Sequence, residues 1–276
     1  MTRCVYIASS EWQVSKSAVA LGVLELFARQ VRSVGFFRPL VQSLQEDGIT
    51  TALLATDTLR HQSLEDSIGV SYEDWANDPD AAIDTIVAKY SALTERFEAI
   101  VIVGSDFDDL TYGTELDHNA LIAANLNAPV LYVCRASERS IDEVCRMAEE
   151  SIEAFEARHN TVVGIIATRA EPEISEELSS ALREVRDVPV SVLSANPVLD
   201  APSVGQHFEA VDATLWRGTP ESLNREALTT IIAGMSLPNL LPRLQKEATV
   251  IVPADRSAVI ISLAAAHAST GFPNLA

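Results

Sequence analysis

Short apolar runs alternate along the first two thirds of this chain with longer stretches of helical spacing. Residues 3–8, 33–37, 99–103 (AIVIV), 129–134 (PVLYVC), 162–168 (VVGIIAT) and 190–193 are compact and apolar. Strands covered on both faces read this way. In residues 16–30, Val19, Val23, Leu26 and Phe27 recur at the spacing of one helix face. Residues 51–64, 81–97, 115–127, 141–158 and 174–186 read as further helices, and 65–79 as an irregular acidic connection. Arg38-Pro39 closes the second run. Proline has no N–H for a central ladder, so Arg38 is expected at the carboxyl edge of that strand. Strands alternating with helices predict an α/β domain, a parallel sheet with helices on both faces. Ligands of such sheets bind at the carboxyl ends of the strands.

The pattern changes after residue 193. Residues 194–210 (SANPVLDAPSVGQHFEA) are rich in Pro, Ser and Ala without a period, which is linker-like. We divide the chain into domains 1–197 and 198–276. In the second, a helix over 221–233 with Gly234 as its stop, a strand at 249–252 and a helix over 258–267 are expected. One strand and two or three helices do not close a sheet, so this stretch is expected to be part of a second α/β domain.

Composition narrows the function classes. Of 276 residues 47% are hydrophobic, enough for a sizeable core. Asp+Glu total 39 against 20 Lys+Arg, a net charge of −19. That field repels polynucleotides and anionic membranes. Cys4, Cys134 and Cys145 form no C-x-x-C pair, so neither zinc nor a disulfide framework is indicated and a reducing cytoplasm fits. No apolar run is long enough to span a bilayer, and the N-terminus lacks a signal-peptide core. His61, His118, His159, His207 and His267 show no ligand spacing, and no G-x-S-x-G elbow is present.

The chemistry concentrates in the first loop. The strand at 3–8 runs into Ser10-Glu11-Trp12-Gln13-Val14-Ser15-Lys16-Ser17, which opens a helix. This is the layout of the phosphate-binding loop G-x-x-x-x-G-K-[ST], with serine at both glycine positions. Lys16 would meet phosphate oxygens and Ser17 would ligate magnesium. Ser10 and Ser15 stand where glycine allows positive φ or close backbone approach, and Trp12 puts a bulky ring in the loop. Arg38 could contact an anion. Asp57 and Asp106 are the carboxylates placed to complete a magnesium site. In the second domain Asp255 is a candidate helix cap, and Arg256 a candidate ligand or interdomain contact.

The chain resembles the N-terminal regulatory part of long-form phosphate acetyltransferases, in which a degenerate dethiobiotin-synthetase-like P-loop domain precedes a DRTGG-type domain. The resemblance rests on the loop Ser10–Ser17 together with GFFRPLVQ (35–42), AIVIVGSD (99–106), GIIATRA (164–170), VLDAPSV (198–204) and PADRSAVIISLAAAH (253–267). It implies a P-loop NTPase-like fold and a parent enzyme that exchanges acetyl between acetyl-CoA and phosphate. It also implies partners: a C-terminal catalytic domain, further copies of the chain in a homo-oligomer, and a small anionic effector. Against the synthetase pattern, the lysine of the K-P pair is Arg38 and the acid after the third strand is Gly104. The base-reading asparagine is Thr168, followed by Arg169. Two functions follow from these residues. One is a non-catalytic regulatory and assembly region with no cofactor of its own. The other is a working P-loop enzyme that uses Mg-ATP to activate a carboxylate.

Overall fold

The structure, a computed structural model, describes residues 3–11, 14–105, 112–269, 271–273 and 275. It divides into two compact units, Met1–Ala195 and Asn196–Ala276.

In the first unit seven strands form one parallel sheet in the order β3-β2-β4-β1-β5-β6-β7. They are β1 (Arg3–Ala8), β2 (Val34–Val41), β3 (Ile68–Ser71), β4 (Ala99–Val103), β5 (Val130–Arg135), β6 (Val162–Ala170) and β7 (Val190–Ser194). The helices are α1 (Lys16–Ala28), α2 (Gly48–Leu54), α3 (Leu64–Ser67), α4 (Tyr72–Asn77), α5 (Pro79–Arg96), α6 (Tyr112–Asn125), α7 (Ile141–Ala157) and α8 (Ser175–Val185). Alternate residues of the strands face opposite layers. Val5 and Ile7 pack with Val19, Ala20 and Leu24 of α1 and Leu53 of α2. Tyr6 and Ala8 pack into the layer that holds Ile86, Ala120, Ile152 and Leu182 of α5 to α8. All five residues of β4 are buried, as its near-central place requires.

Three expectations are corrected here. Residues 65–79 are not irregular: they hold α3, β3 and α4. Four residues are too few for a periodicity, and β3 exists through its tertiary partners. It pairs with β2, Lys89 Nζ donates to the carbonyls of Ile68 and Gly69 (3.0 Å each), and a Cβ at Gly69 would lie 2.1 Å from Pro39 O. The helix expected over 51–64 is the shorter α2, followed by turns. Nor does β2 end at Arg38. Its residues 34–37 pair with β4, while Arg38, Leu40 and Val41 pair with β3. Pro39 lies between two β3-paired residues, Arg38 and Leu40, and beyond the last residue paired with β4, so the β4 ladder ends before it. On the β2 edge that β3 does not reach, the Gln62 amide acts as a strand, accepting from Phe36 N (2.9 Å) and donating to Phe36 O (2.6 Å).

The second unit contains α9 (Pro197–Asp200), α10 (Val204–Ala210), β8 (Thr229–Ile232), α11 (Leu237–Leu240), β9 (Ala248–Ile251) and α12 (Ser257–His267). The helix expected over 221–233 is instead a 3-10 turn at Pro220–Asn224 and then β8. The β-branched run Thr229-Thr230-Ile231-Ile232 favours a strand, and it pairs in parallel with β9. Gly234 therefore follows a strand. A small core of Ala233, Leu240, Leu244, Val259, Leu263 and Ala266 lies between this pair and α12.

Candidate functional site

The loop between β1 and α1 lies at the carboxyl end of the sheet, where a phosphate cradle belongs. Its backbone keeps one mark of such a cradle. Ser15, at the second glycine position, sits in the left-handed region with φ 59°, which costs about 1 kcal/mol or more for a side-chain-bearing residue.

Side chains of the protein itself hold this loop. Ser10 Oγ is 2.8 Å from Tyr132 OH, which donates to Ser151 Oγ (3.1 Å), and Ser151 in turn donates to Met147 O (2.7 Å). Glu11 accepts from Arg135 N (3.0 Å) and makes a two-pronged pair with Arg139, whose guanidinium nitrogens lie 2.7 Å from its two oxygens. Thr168 Oγ1 contacts Val14 O (3.0 Å) and Cys134 O (3.2 Å). Arg169 Nε donates to Ser15 Oγ (3.2 Å). Thr168 is buried. The residue at the base-reading position thus points inward as a tether of the loop.

Lys16 is 2% exposed. Its ammonium donates to Ser105 O (2.7 Å) and Gly104 O (3.2 Å) at the end of β4. Burying an ammonium is costly unless such acceptors replace water. The acid expected after β4 in a nucleotide site has no room here. A Cβ on Gly104 would lie 2.2 Å from Asn119 Oδ1 and 2.9 Å from Tyr6 Cε1. Asn119, fully buried on α6, fills that space. Its Oδ1 accepts from Tyr6 OH (2.8 Å) and Ser105 N (3.1 Å), and its Nδ2 donates to Glu115 O (2.9 Å) and Ser105 O (3.2 Å). Burial first, and then the charge of Glu115, pushes the Tyr6 phenol well above its ordinary value, so Tyr6 stays a donor. The same two causes raise Tyr72, which donates to Glu115 Oε1 (2.6 Å).

The remaining expected residues are not gathered at the loop in this way. Ser17 is exposed in the first turn of α1. Arg38 is buried, with its Nε 3.3 Å from Asp47 Oδ2. That same carboxylate caps α2 by accepting from Thr50 N. The anion Arg38 faces is therefore a carboxylate of this chain. Asp57 is exposed beside Thr58, which donates to Glu25 near the other end of α1. Ser17 and Glu25 are separated by about 12 Å along α1, so the contact of Thr58 with Glu25 places Asp57 toward the other end of the helix from Ser17. Asp106 and Trp12 lie outside the described residues. In the second unit Asp255 is exposed and does not cap α12: the N-cap residue is Arg256, with no side-chain cap bond. Arg256 instead reaches Met235 O at 3.5 Å. Glu11, Asn119, Tyr6 and Tyr132 escaped the sequence reading. Nothing local marks them, because the contacts Tyr6–Asn119, Ser10–Tyr132 and Glu11–Arg139 join positions 113 to 128 apart.

A family model described as AAA domain matches residues 3–203. The chain belongs to that AAA domain family. A second model, the DRTGG domain, matches residues 208–271. With the parallel sheet and the loop at its carboxyl end, this makes the first unit P-loop NTPase-like. The chain is similar to two phosphate acetyltransferases: 25% identical to that of Synechocystis sp. and 29% to that of Nitratidesulfovibrio vulgaris. Each match covers 100% of this chain and 41% of the relative. Among solved structures, chloroplast FtsY from Physcomitrella patens is 14% identical with a TM-score of 0.48, over 70% of this chain and 58% of that one. The MinC:MinD cell division complex of Aquifex aeolicus is 12% identical with a TM-score of 0.48, over 72% and 84%.

Proposed function

We propose that this chain is a non-catalytic regulatory and assembly region of a phosphate acetyltransferase, the enzyme that exchanges acetyl between acetyl-CoA and phosphate. The observation that carries the reading is Lys16. The one lysine of the loop is buried and hydrogen-bonded to the carbonyls of Gly104 and Ser105. The described residues do not fit a magnesium–nucleotide. Gly104 leaves no space for the usual acid, Thr168 is turned into the loop, and Asp57 is remote from Ser17. The chain spans 41% of each relative, which leaves room outside it for the domain to which this reading assigns acetyl transfer. The region acts on that part and on other copies of the parent, by shifting activity or assembly when a small anionic effector binds. Such an effector regulates only through unequal affinity for two states of the parent. The three cysteines are unpaired, which supports a reducing compartment.

Calorimetric titration with Mg-ATP tests the reading, alongside a transacetylase assay of this chain by itself. Neither binding nor activity is expected. Micromolar Mg-ATP binding that disappears in Lys16→Ala, or acetyl transfer by this chain alone, overturns it.

A further inference from the structure

Asn119 holds the two peptides whose carbonyls hold Lys16. Its two amide atoms bond both sides of Ser105, Oδ1 to the N–H and Nδ2 to the C=O. The Ser105 carbonyl is the nearer acceptor of the Lys16 ammonium. Tyr6 OH fixes the Asn119 amide from β1, within the same core layer, and the absent side chain at Gly104 lets the amide approach. The Ser105 N–H belongs to the Gly104–Ser105 peptide and the Ser105 C=O to the next, so the one amide restrains the two peptides that flank Ser105. Their carbonyls, of Gly104 and Ser105, both accept from Lys16.

We propose that Asn119 is a latch, a built-in autoinhibitory contact that withholds the Lys16 ammonium from anions at the loop. Because Asn119 rides on α6, a displacement of α6 relative to β4 loosens the Gly104 and Ser105 carbonyls that hold the Lys16 ammonium. The latch rests on the reading above, in which the loop of the resting chain is no nucleotide site, and it says what would have to move for an anion to be captured.

The sequence makes the test clean, because Lys16, Lys89 and Lys246 are the only lysines. Labelling with sulfosuccinimidyl acetate, read per residue by mass spectrometry, compares them. In the unaltered chain Lys246, 74% exposed, reacts fast and Lys16 is protected. In Asn119→Ala the Lys16 rate rises about tenfold, the factor expected when a hydrogen-bonded restraint of ordinary strength is lost. Lys89 stays as slow as before, which shows that the fold persists. Inorganic pyrophosphate then slows Lys16 labelling in the variant and not in the unaltered chain. If Asn119→Ala exposes Lys89 as well, Tyr6→Phe is read instead. It keeps the ring, removes one bond to Asn119, and gives a smaller rise in the same direction. A Lys16 rate within about twofold of the unaltered chain in the variant that keeps Lys89 protected overturns the latch. So does a freed Lys16 that pyrophosphate leaves unprotected. Lys16-dependent binding of Mg-ATP to the unaltered chain overturns the regulatory reading and the latch together, whereas an unchanged Lys16 labelling rate overturns the latch alone, so the two failures are distinguishable.

Discussion

Gly104→Ala is the smallest change that tests the geometry of the loop. The added methyl would sit 2.2 Å from Asn119 Oδ1 and 2.9 Å from Tyr6 Cε1. Contacts that short cannot persist, so Asn119 or the β4 backbone must move. Forcing a methyl into a packed core costs about 1–3 kcal/mol. A displaced Asn119 also gives up its bonds to Tyr6 OH and Ser105 N, each worth about 1 kcal/mol net. The total is about 3–5 kcal/mol. In a unit of this size 1 kcal/mol moves the melting temperature by about 2–4 °C. Thermal unfolding followed by circular dichroism should therefore show the transition of the first unit about 6–20 °C lower. Gly104→Asp, which supplies the acid of the nucleotide-site pattern, should be at least as destabilised and gain no affinity for Mg-ATP. A midpoint within about 2 °C of the unaltered chain for Gly104→Ala would refute the close packing of Asn119 on β4.

Two further outcomes follow from the same structure. Thr168→Val removes the hydroxyl that reaches Val14 O and Cys134 O. It should cost about 1–3 kcal/mol and speed hydrogen exchange at the Val14–Lys16 amides, whereas Thr168→Ser should behave as the unaltered chain; equal exchange in both variants would show that the tether holds nothing. His118 is packed on Trp75 at a ring separation of 5.0 Å, and burial lowers its pKa below the ordinary value against the opposing charges of Glu115 and Asp117. The folded chain then binds fewer protons than the unfolded chain below about pH 6.5, so stability falls as pH drops from there toward the folded-state pKa. Urea midpoints at about pH 7.5 and 5.5 should differ less in His118→Phe than in the unaltered chain, and an unchanged difference would remove His118 from the account.

How much was legible from the sequence depended on the range of the forces involved. The apolar runs at 99–103 and 129–134 are continuous because both faces of those strands are covered, so pattern alone located them. β3 was missed because its four residues are defined by Lys89, Pro39 and the edge of β2, none of them near in sequence. In the second unit the run ending in Thr229–Ile232 carries apolar residues at a spacing that fits a helix or a strand, and pairing with β9 decided between them. The loop was legible as a phosphate cradle with two serines. Its present closure was not. Thr168 was visible as a missing amide, but its inward tether depends on Val14, 154 positions away. Arg38 kept its charge in the K-P position, yet Asp47 supplies its counter-charge, and only the fold brings those two together.

The inward turn of Thr168 has a consequence for reversibility. A substitution that moves this loop back toward nucleotide binding first removes something the fold uses. Asparagine at position 168 gives up the hydroxyl tether to Val14, an acid at position 104 collides with Asn119, and drawing Lys16 toward phosphate strips the β4 carbonyls of their donor. Each single step lowers stability before it returns any affinity, and the steps are supportive only in combination. A laboratory selection for ATP binding, starting from this chain and accepting one mutation at a time, should therefore stall at this loop or find a different surface. Libraries that vary positions 104, 119 and 168 together offer the open route.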